Sequence, residues 1–180
     1  MPSIIVLDKL SPDGLALLDA AAKLGISYEV KTGLSGEELK NALASHDGAI
    51  CRSGVKITAD VLAGNHRLRA IVRAGVGTDN IDKQAATRQG IVVMNTPAGN
   101  TVSTAEHAFT LLLALSRNVA PADASLREHR WDRSKYMGVQ LAGKTLGIVG
   151  MGRIGQAVAS RARAFDTVSY THLTLPTRYR

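Results

Sequence analysis

The sequence predicts an α/β protein built on a parallel sheet with helices on both faces. Three observations carry that reading. Short apolar runs of four or five residues alternate with helical segments along the first half of the 180-residue chain. Those segments are long enough to cross from one strand to the next in parallel. A glycine corner, Gly150-Met151-Gly152-Arg153-Ile154-Gly155, later follows a strand and opens a helix.

The elements follow in order. Ser3–Leu7 reads as a buried strand. Ser11, Pro12 and Asp13 supply a cap, a proline at the first helical position and an acid in the first turn of a helix reaching about Leu24 and stopping at Gly25. Ile26–Val30 is the second strand. Ser35 with Glu38 forms a capping-box pattern for a helix ending near His46, and Ala49–Arg52 is the third strand. A short helix at Thr58–Ala63, a strand at Leu68–Val72, a helix at Asp82–Gln89 closed by Gly90 and a strand at Ile91–Asn95 complete the alternation.

The pattern changes at Thr96-Pro97. Val102–Leu115 is a long helix, nearly all apolar in its second half and so expected to be covered on several sides. A helix at Pro121–His129, a polar loop at Trp131–Gln140, a strand at Thr145–Val149 and a helix at Arg153–Phe165 follow.

Composition narrows the classes of function. Apolar residues make up 45% of the chain and aromatics 4%, so the core is built from Ala, Val, Leu and Ile. No apolar run approaches the ~18 residues of a membrane span, and MPSIIVLDKL lacks the plan of a signal peptide. The single cysteine, Cys51, excludes an internal disulfide, has no second ligand at metal spacing and fits a reducing cytoplasm. The formal charge is +7, but its cations are scattered and no basic stripe interleaved with aromatics exists, which argues against nucleic acid and for a small anionic ligand.

Three places can carry chemistry. In the Gly150–Gly155 corner the first glycine allows the turn, the second lets the backbone approach a pyrophosphate, and the third lets helix and strand pack closely. An acidic residue for the ribose is expected near residues 173–175, where Leu173, Thr174 and Leu175 stand; Asp166 comes too early. The loop Arg73–Asn80 follows a strand with two glycines, Gly75 and Gly77, as an anion-binding concavity or as a tight turn needing positive φ. Arg52, beside Ser53 at the end of the third strand, offers a two-pronged partner for a carboxylate or phosphate. His46, His66, His107 and His129 show no carboxylate at obvious spacing.

RAGVGTDNID at Arg73–Asp82, NTPAGNTVSTAEHAFTLLLAL at Asn95–Leu115 and LAGKTLGIVGMGRIG at Leu141–Gly155 resemble the substrate loop, crossover helix and cofactor fingerprint of the NAD-dependent D-2-hydroxyacid dehydrogenases. That resemblance implies a flavodoxin-like substrate-binding domain over residues 1–98 and the truncated start of a Rossmann NAD-binding domain over 99–168. It implies substrate contacts at Arg52, Ser53, Val76, Gly77 and Asn100. It implies NAD contacts at Val76, Thr104, Gly150, Gly152, Arg153, Ile154 and Gly155. A homo-oligomer joined through the crossover helix and a cytoplasmic location are implied as well.

Within the family, WDRSKYMG at Trp131–Gly138 is most similar to members that oxidise 3-phospho-D-glycerate to 3-phosphooxypyruvate, the first step of serine biosynthesis. Glyoxylate or hydroxypyruvate reduction, or a non-catalytic nucleotide-sensing module, are the alternatives. The family's catalytic Arg, Glu and His have no counterpart in these 180 residues, so the chain reads as an inactive N-terminal piece. Its close, SYTHLTLPTRYR at 169–180, shifts abruptly to Thr, Tyr and Arg around Pro176 and reads as a non-native tail.

Overall fold

The computed structural model describes residues 1–171, and the chain divides into one compact unit, Met1–Gly99, and a second that begins at Asn100. The first unit is β1 (Ser3–Val6), α1 (Pro12–Ala22), β2 (Ser27–Val30), α2 (Gly36–Ala44), β3 (Gly48–Cys51), α3 (Ala59–Leu62), β4 (Ala70–Arg73), α4 (Lys83–Arg88) and β5 (Val92–Asn95). All five strands are parallel, in the order β2-β1-β3-β4-β5. The chain runs outward from β1 to β2 and then returns to β1's other side, so the strand order reverses between β1 and β3. In open parallel sheets that reversal, at the carboxyl edge, is where ligands sit.

Alternation along the strands builds the core. Ile5, Ala49, Cys51 and Ile71 are buried, together with Leu39 and Leu43 of α2, Leu62 of α3, Ala85 and Ala86 of α4, and Ile57 and Ile81 from the connections. Each large aliphatic group removed from water there contributes about 1.5–3 kcal/mol.

Local chemistry fixes the helix ends. The Ser11 hydroxyl accepts the Gly14 amide at 3.2 Å with Pro12 at the first position of α1, and Asp82 accepts the Ala85 amide at 2.8 Å to cap α4. The capping box expected at Ser35 does not form. Gly36 enters α2 at φ 53°, which carries the Ser35 hydroxyl away from the free amides, and Glu37 and Glu38 favour the helix start by charge instead.

The second unit contains α5 (Thr101–Ser116), α6 (Val119–Arg127), a 3-10 turn at Arg133–Tyr136, β6 (Thr145–Ile148), α7 (Arg153–Arg163) and β7 (Val168–Thr171). Pro121 lies inside the first turn of α6, where its missing N–H has no helical partner to lose. β6, α7 and β7 form a parallel βαβ unit, with Thr145 opposite Val168. The segment after Phe165 thus supplies a second strand, where sequence alone shows one clear strand in this unit. The apolar stretch of α5 is less covered than its composition predicts: within the second unit Ala105 and Phe109 are buried, whereas Leu115 is 79% exposed.

Candidate functional site

The carboxyl edge of β3 and β4 gathers the first group of expected site residues. β3 ends at Cys51, and Arg52 and Ser53 follow it with exposed side chains. The Arg52 amide donates to Oδ2 of Asp8 at 2.6 Å, just beyond β1, and its carbonyl accepts Nδ2 of Asn80 at 2.8 Å. Arg52 therefore stands at the β1–β3 reversal.

β4 ends at Arg73 and leads into the glycine loop. Gly75 and Gly77 are outside the positive-φ region, so a tight turn that demands glycine for its dihedral angles is not what forms here. The carbonyls of the loop are tied toward the end of β5: Gly75 accepts the Thr96 amide at 3.0 Å, and Val76 accepts Nδ2 of Asn95 at 2.7 Å. Among the described residues the amides of Val76 and Gly77 donate to no protein acceptor. Two adjacent free amides in the loop that packs on the Arg73 guanidinium are able to receive a carboxylate or phosphate.

Arg73 itself is the residue that sequence inspection passes over. Its Nε is buried without a hydrogen-bond partner among the described residues. A side chain on Gly75 would collide with its guanidinium, so that glycine leaves the room Arg73 occupies. With Ser53, Lys56, Asp79 and Asn80, Arg73 lines an open cleft of about 610 Å³. The available signal is the strand period: Arg73 lies two residues after Ile71, which is fully buried. A guanidinium at an inward position with an orphaned donor is costly unless an acceptor arrives.

Cys51, beneath this edge, offers no nucleophile. Burial, with the charge of Asp8 adding, pushes its thiol up to about 11, so it stays protonated at neutral pH.

The second group lies on the second unit. Gly150 turns the chain at φ 95°, a conformation that needs glycine. A Cβ on Gly155 would collide with the Gly150 carbonyl oxygen, so glycine there lets α7 start directly against the corner. A Cβ on Gly152 would meet nothing within 4 Å. That opening sits at the N-terminus of the 11-residue α7, where free amides and the helix dipole favour an anion. Arg153 is exposed there and Ile154 half-buried, and Nε2 of Gln156 donates to the Met151 carbonyl at 3.0 Å to steady the corner. These residues fit a dinucleotide pyrophosphate.

Asn100 precedes α5 without a side-chain capping bond, and its carbonyl accepts the Thr104 amide at 2.9 Å. α5 and α7 are joined by Glu106–Arg161 at 3.0 Å and by the Phe109 and Phe165 rings with centroids 4.9 Å apart. Glu106 is thus engaged structurally. Positions 173–175, expected to carry the ribose-binding acid, and His172 lie outside the described residues.

One histidine departs from expectation. His46 is buried, its Nδ1 is 2.7 Å from the Ala42 carbonyl, and its Nε2 is 3.2 Å from Oε1 of Glu29. The partner is 17 positions away on β2, a spacing that the fold creates. His46 precedes β3 and so lies at the opposite edge of the sheet from Arg52. His66, His107 and His129 are exposed.

Comparison with known proteins identifies the family. The profile of the family "D-isomer specific 2-hydroxyacid dehydrogenase, catalytic domain" matches residues 4–177. The chain is similar to the D-3-phosphoglycerate dehydrogenase of Archaeoglobus fulgidus, 45% identical over 163 residues, which is 91% of this chain and 30% of that protein. The chain therefore spans about a third of that relative's length. Among solved structures it resembles an acyclic imino acid reductase in complex with NADPH and D-Arg, with a TM-score of 0.86 and 27% identity over 99% of this chain and 58% of that one. It also resembles the NAD-dependent formate dehydrogenase of Staphylococcus aureus in complex with NAD, with a TM-score of 0.80 and 27% identity over 100% of this chain and 58% of that one.

Proposed function

The chain belongs to the D-isomer specific 2-hydroxyacid dehydrogenases, and from that premise we propose that it carries the substrate loop and first cofactor corner of an NAD-dependent enzyme oxidising 3-phospho-D-glycerate to 3-phosphooxypyruvate. That reaction opens serine biosynthesis. The observation that carries the choice of substrate is the pairing of free amides with several cations at one sheet edge. 3-Phospho-D-glycerate has an anion at each end. The amides of Val76 and Gly77 suit its carboxylate; Lys56 and Arg73, which line the cleft with Asp79 and Asp82, and Arg52 at the same sheet edge would supply positive charge for its phosphate. Glyoxylate, with a single anionic group, would leave part of that charge unused. The name of the Archaeoglobus relative supports the same choice.

In the second unit, Gly150, Gly152 and Gly155 would hold the dinucleotide pyrophosphate at the start of α7, with Arg153 and Ile154 beside it and Thr104 on the neighbouring helix. The chemistry that a nicotinamide cofactor would supply there is an acceptor for the hydride on C2 of a 2-hydroxyacid. The residues of this chain bind and orient; removal of the hydroxyl proton needs a base positioned within hydrogen-bond reach of it. Among the described residues the only histidine–carboxylate pair, His46–Glu29, belongs to the amino edge of the sheet. We therefore assign the described residues binding and orientation without turnover.

Isothermal titration of 3-phospho-D-glycerate, glyoxylate and NAD into the purified chain tests the reading, alongside an assay for NADH formation. Binding of the phosphorylated acid in preference to glyoxylate, without NADH formation, is the expected result. Equal affinity for both acids would overturn the substrate assignment, and measurable NADH formation would overturn the assignment of binding without turnover.

A further inference from the structure

Arg52 is held from both sides of its peptide by residues far away in sequence. Asp8, at the end of β1, accepts its amide proton at 2.6 Å. Asn80, after the glycine loop, donates from Nδ2 to the Arg52 carbonyl at 2.8 Å and to the Val55 carbonyl at 2.9 Å. Both protons of the Asn80 amide are thereby used. Turning the amide over would set its oxygen against two carbonyls, so the orientation is determined by these partners.

The Oδ1 of Asn80 is buried with no partner among the described residues, a cost accepted for the two bonds made by the other end. The Asn80 carbonyl also accepts the Ile57 amide at 2.8 Å, and the Ile57 carbonyl accepts the Asp82 amide at 2.8 Å. The Arg52–Ile57 segment is consequently stapled along its length. Gly54 passes so close to Asp8 that a Cβ there would strike the carboxylate.

We propose that Asp8 and Asn80 are positioning residues that fix the Arg52 backbone at the β1–β3 reversal so that its guanidinium meets the anionic substrate. Asp8 acts through the Arg52 amide and Asn80 through the Arg52 carbonyl. Asp8 is not among the residues lining the cleft, whereas Asn80 lines it beside Lys56 and Arg73. The inference rests on Arg52 being a substrate residue, as assigned above.

The test is a double-mutant cycle on the full 180-residue chain. The affinity for 3-phospho-D-glycerate is read from 15N–1H shifts, with thermal unfolding recorded for each variant. Arg52→Ala weakens binding by about tenfold or more, the scale of a hydrogen bond to a charged group. Asp8→Ala weakens it by about tenfold when Arg52 is present and by less than about twofold in the Arg52→Ala background. Asp8→Asn, which keeps an acceptor oxygen, restores affinity to within about threefold of the unaltered chain. Should Asp8→Ala fail to fold, Asn80→Ser in the same cycle decides.

Equal weakening by the Asp8 or Asn80 change in both backgrounds, or no weakening in either, overturns the positioning role while leaving Arg52's own role intact. An Arg52→Ala chain that binds as tightly as the original overturns the substrate assignment of Arg52, and the positioning role with it.

Discussion

The glycine corner yields the prediction that separates fold from ligand most cleanly. Gly152 and Gly155 are three residues apart, yet a methyl group meets different surroundings at each. At Gly155 it would strike the Gly150 carbonyl oxygen, with Cγ2 of Ile148 3.5 Å away. The Gly150 backbone is already committed to φ 95° and cannot yield. α7 would have to tilt, and its far end is held by Glu106–Arg161 and by Phe109 on Phe165. Overpacking of this kind costs about 1–3 kcal/mol. At Gly152 the dihedral angles, φ −70° and ψ −168°, suit any residue, and a Cβ meets open space. Gly152→Ala should cost less than about 1 kcal/mol, the loss expected of an alanine at a helix N-cap. The space it fills is the one proposed above for the pyrophosphate, so NAD affinity should fall about fivefold or more, equivalent to ~1 kcal/mol of lost approach. Urea denaturation and NAD titration of both variants read the two effects. A Gly152→Ala chain that binds NAD normally but unfolds as easily as Gly155→Ala would refute the reasoning.

Three further outcomes follow from the packing and charges. Asp47 accepts the Ser3 amide at 2.8 Å and Nη2 of Arg67 at 3.2 Å, and the Arg67 guanidinium holds its carboxyl well below the usual carboxylate range. A depressed carboxyl stabilises the fold above its unfolded pKa and loses that contribution as pH falls, so thermal stability should decline in acid, and Asp47→Asn should flatten the decline measured by circular dichroism between pH 6 and 3. Cys51, raised to about 11, stabilises below its unfolded value and loses that contribution as pH climbs toward 11; at pH 8 its alkylation by iodoacetamide should keep pace with global unfolding, and rapid alkylation of the folded chain would contradict its burial. Phe109→Ala should destabilise the second unit by about 3 kcal/mol, whereas Glu106→Gln, at an exposed ion pair, should cost less than about 1 kcal/mol by urea denaturation.

Much of this was legible in the sequence because period and punctuation are local. Apolar runs such as Ile4–Val6 and Ile71–Val72, bounded by caps and glycines, place every strand of the first unit, and their parallel order follows from the helices between them. The glycine corner is equally local. What escaped depends on distance in sequence. The His46–Glu29 pair and the grip of Asp8 and Asn80 on Arg52 exist only once β1, β2 and β3 lie side by side. Arg73 escaped because the strand period that buries Ile71 also turns the arginine inward, where an apolar residue is the ordinary occupant. β7 escaped because Val168–Thr171 is a run of only four residues without an apolar stretch, and the strand is defined by pairing with β6.

The central claim is that the β3–β4 edge binds a phosphorylated 2-hydroxyacid, and 15N–1H spectra of the chain titrated with 3-phospho-D-glycerate test it most directly. The account predicts saturable shifts at Arg52, Ser53, Arg73, Val76 and Gly77, with affinity above that for glyoxylate. Saturation that leaves those five amides unmoved, or shifts confined to the amino edge around His46, would contradict it.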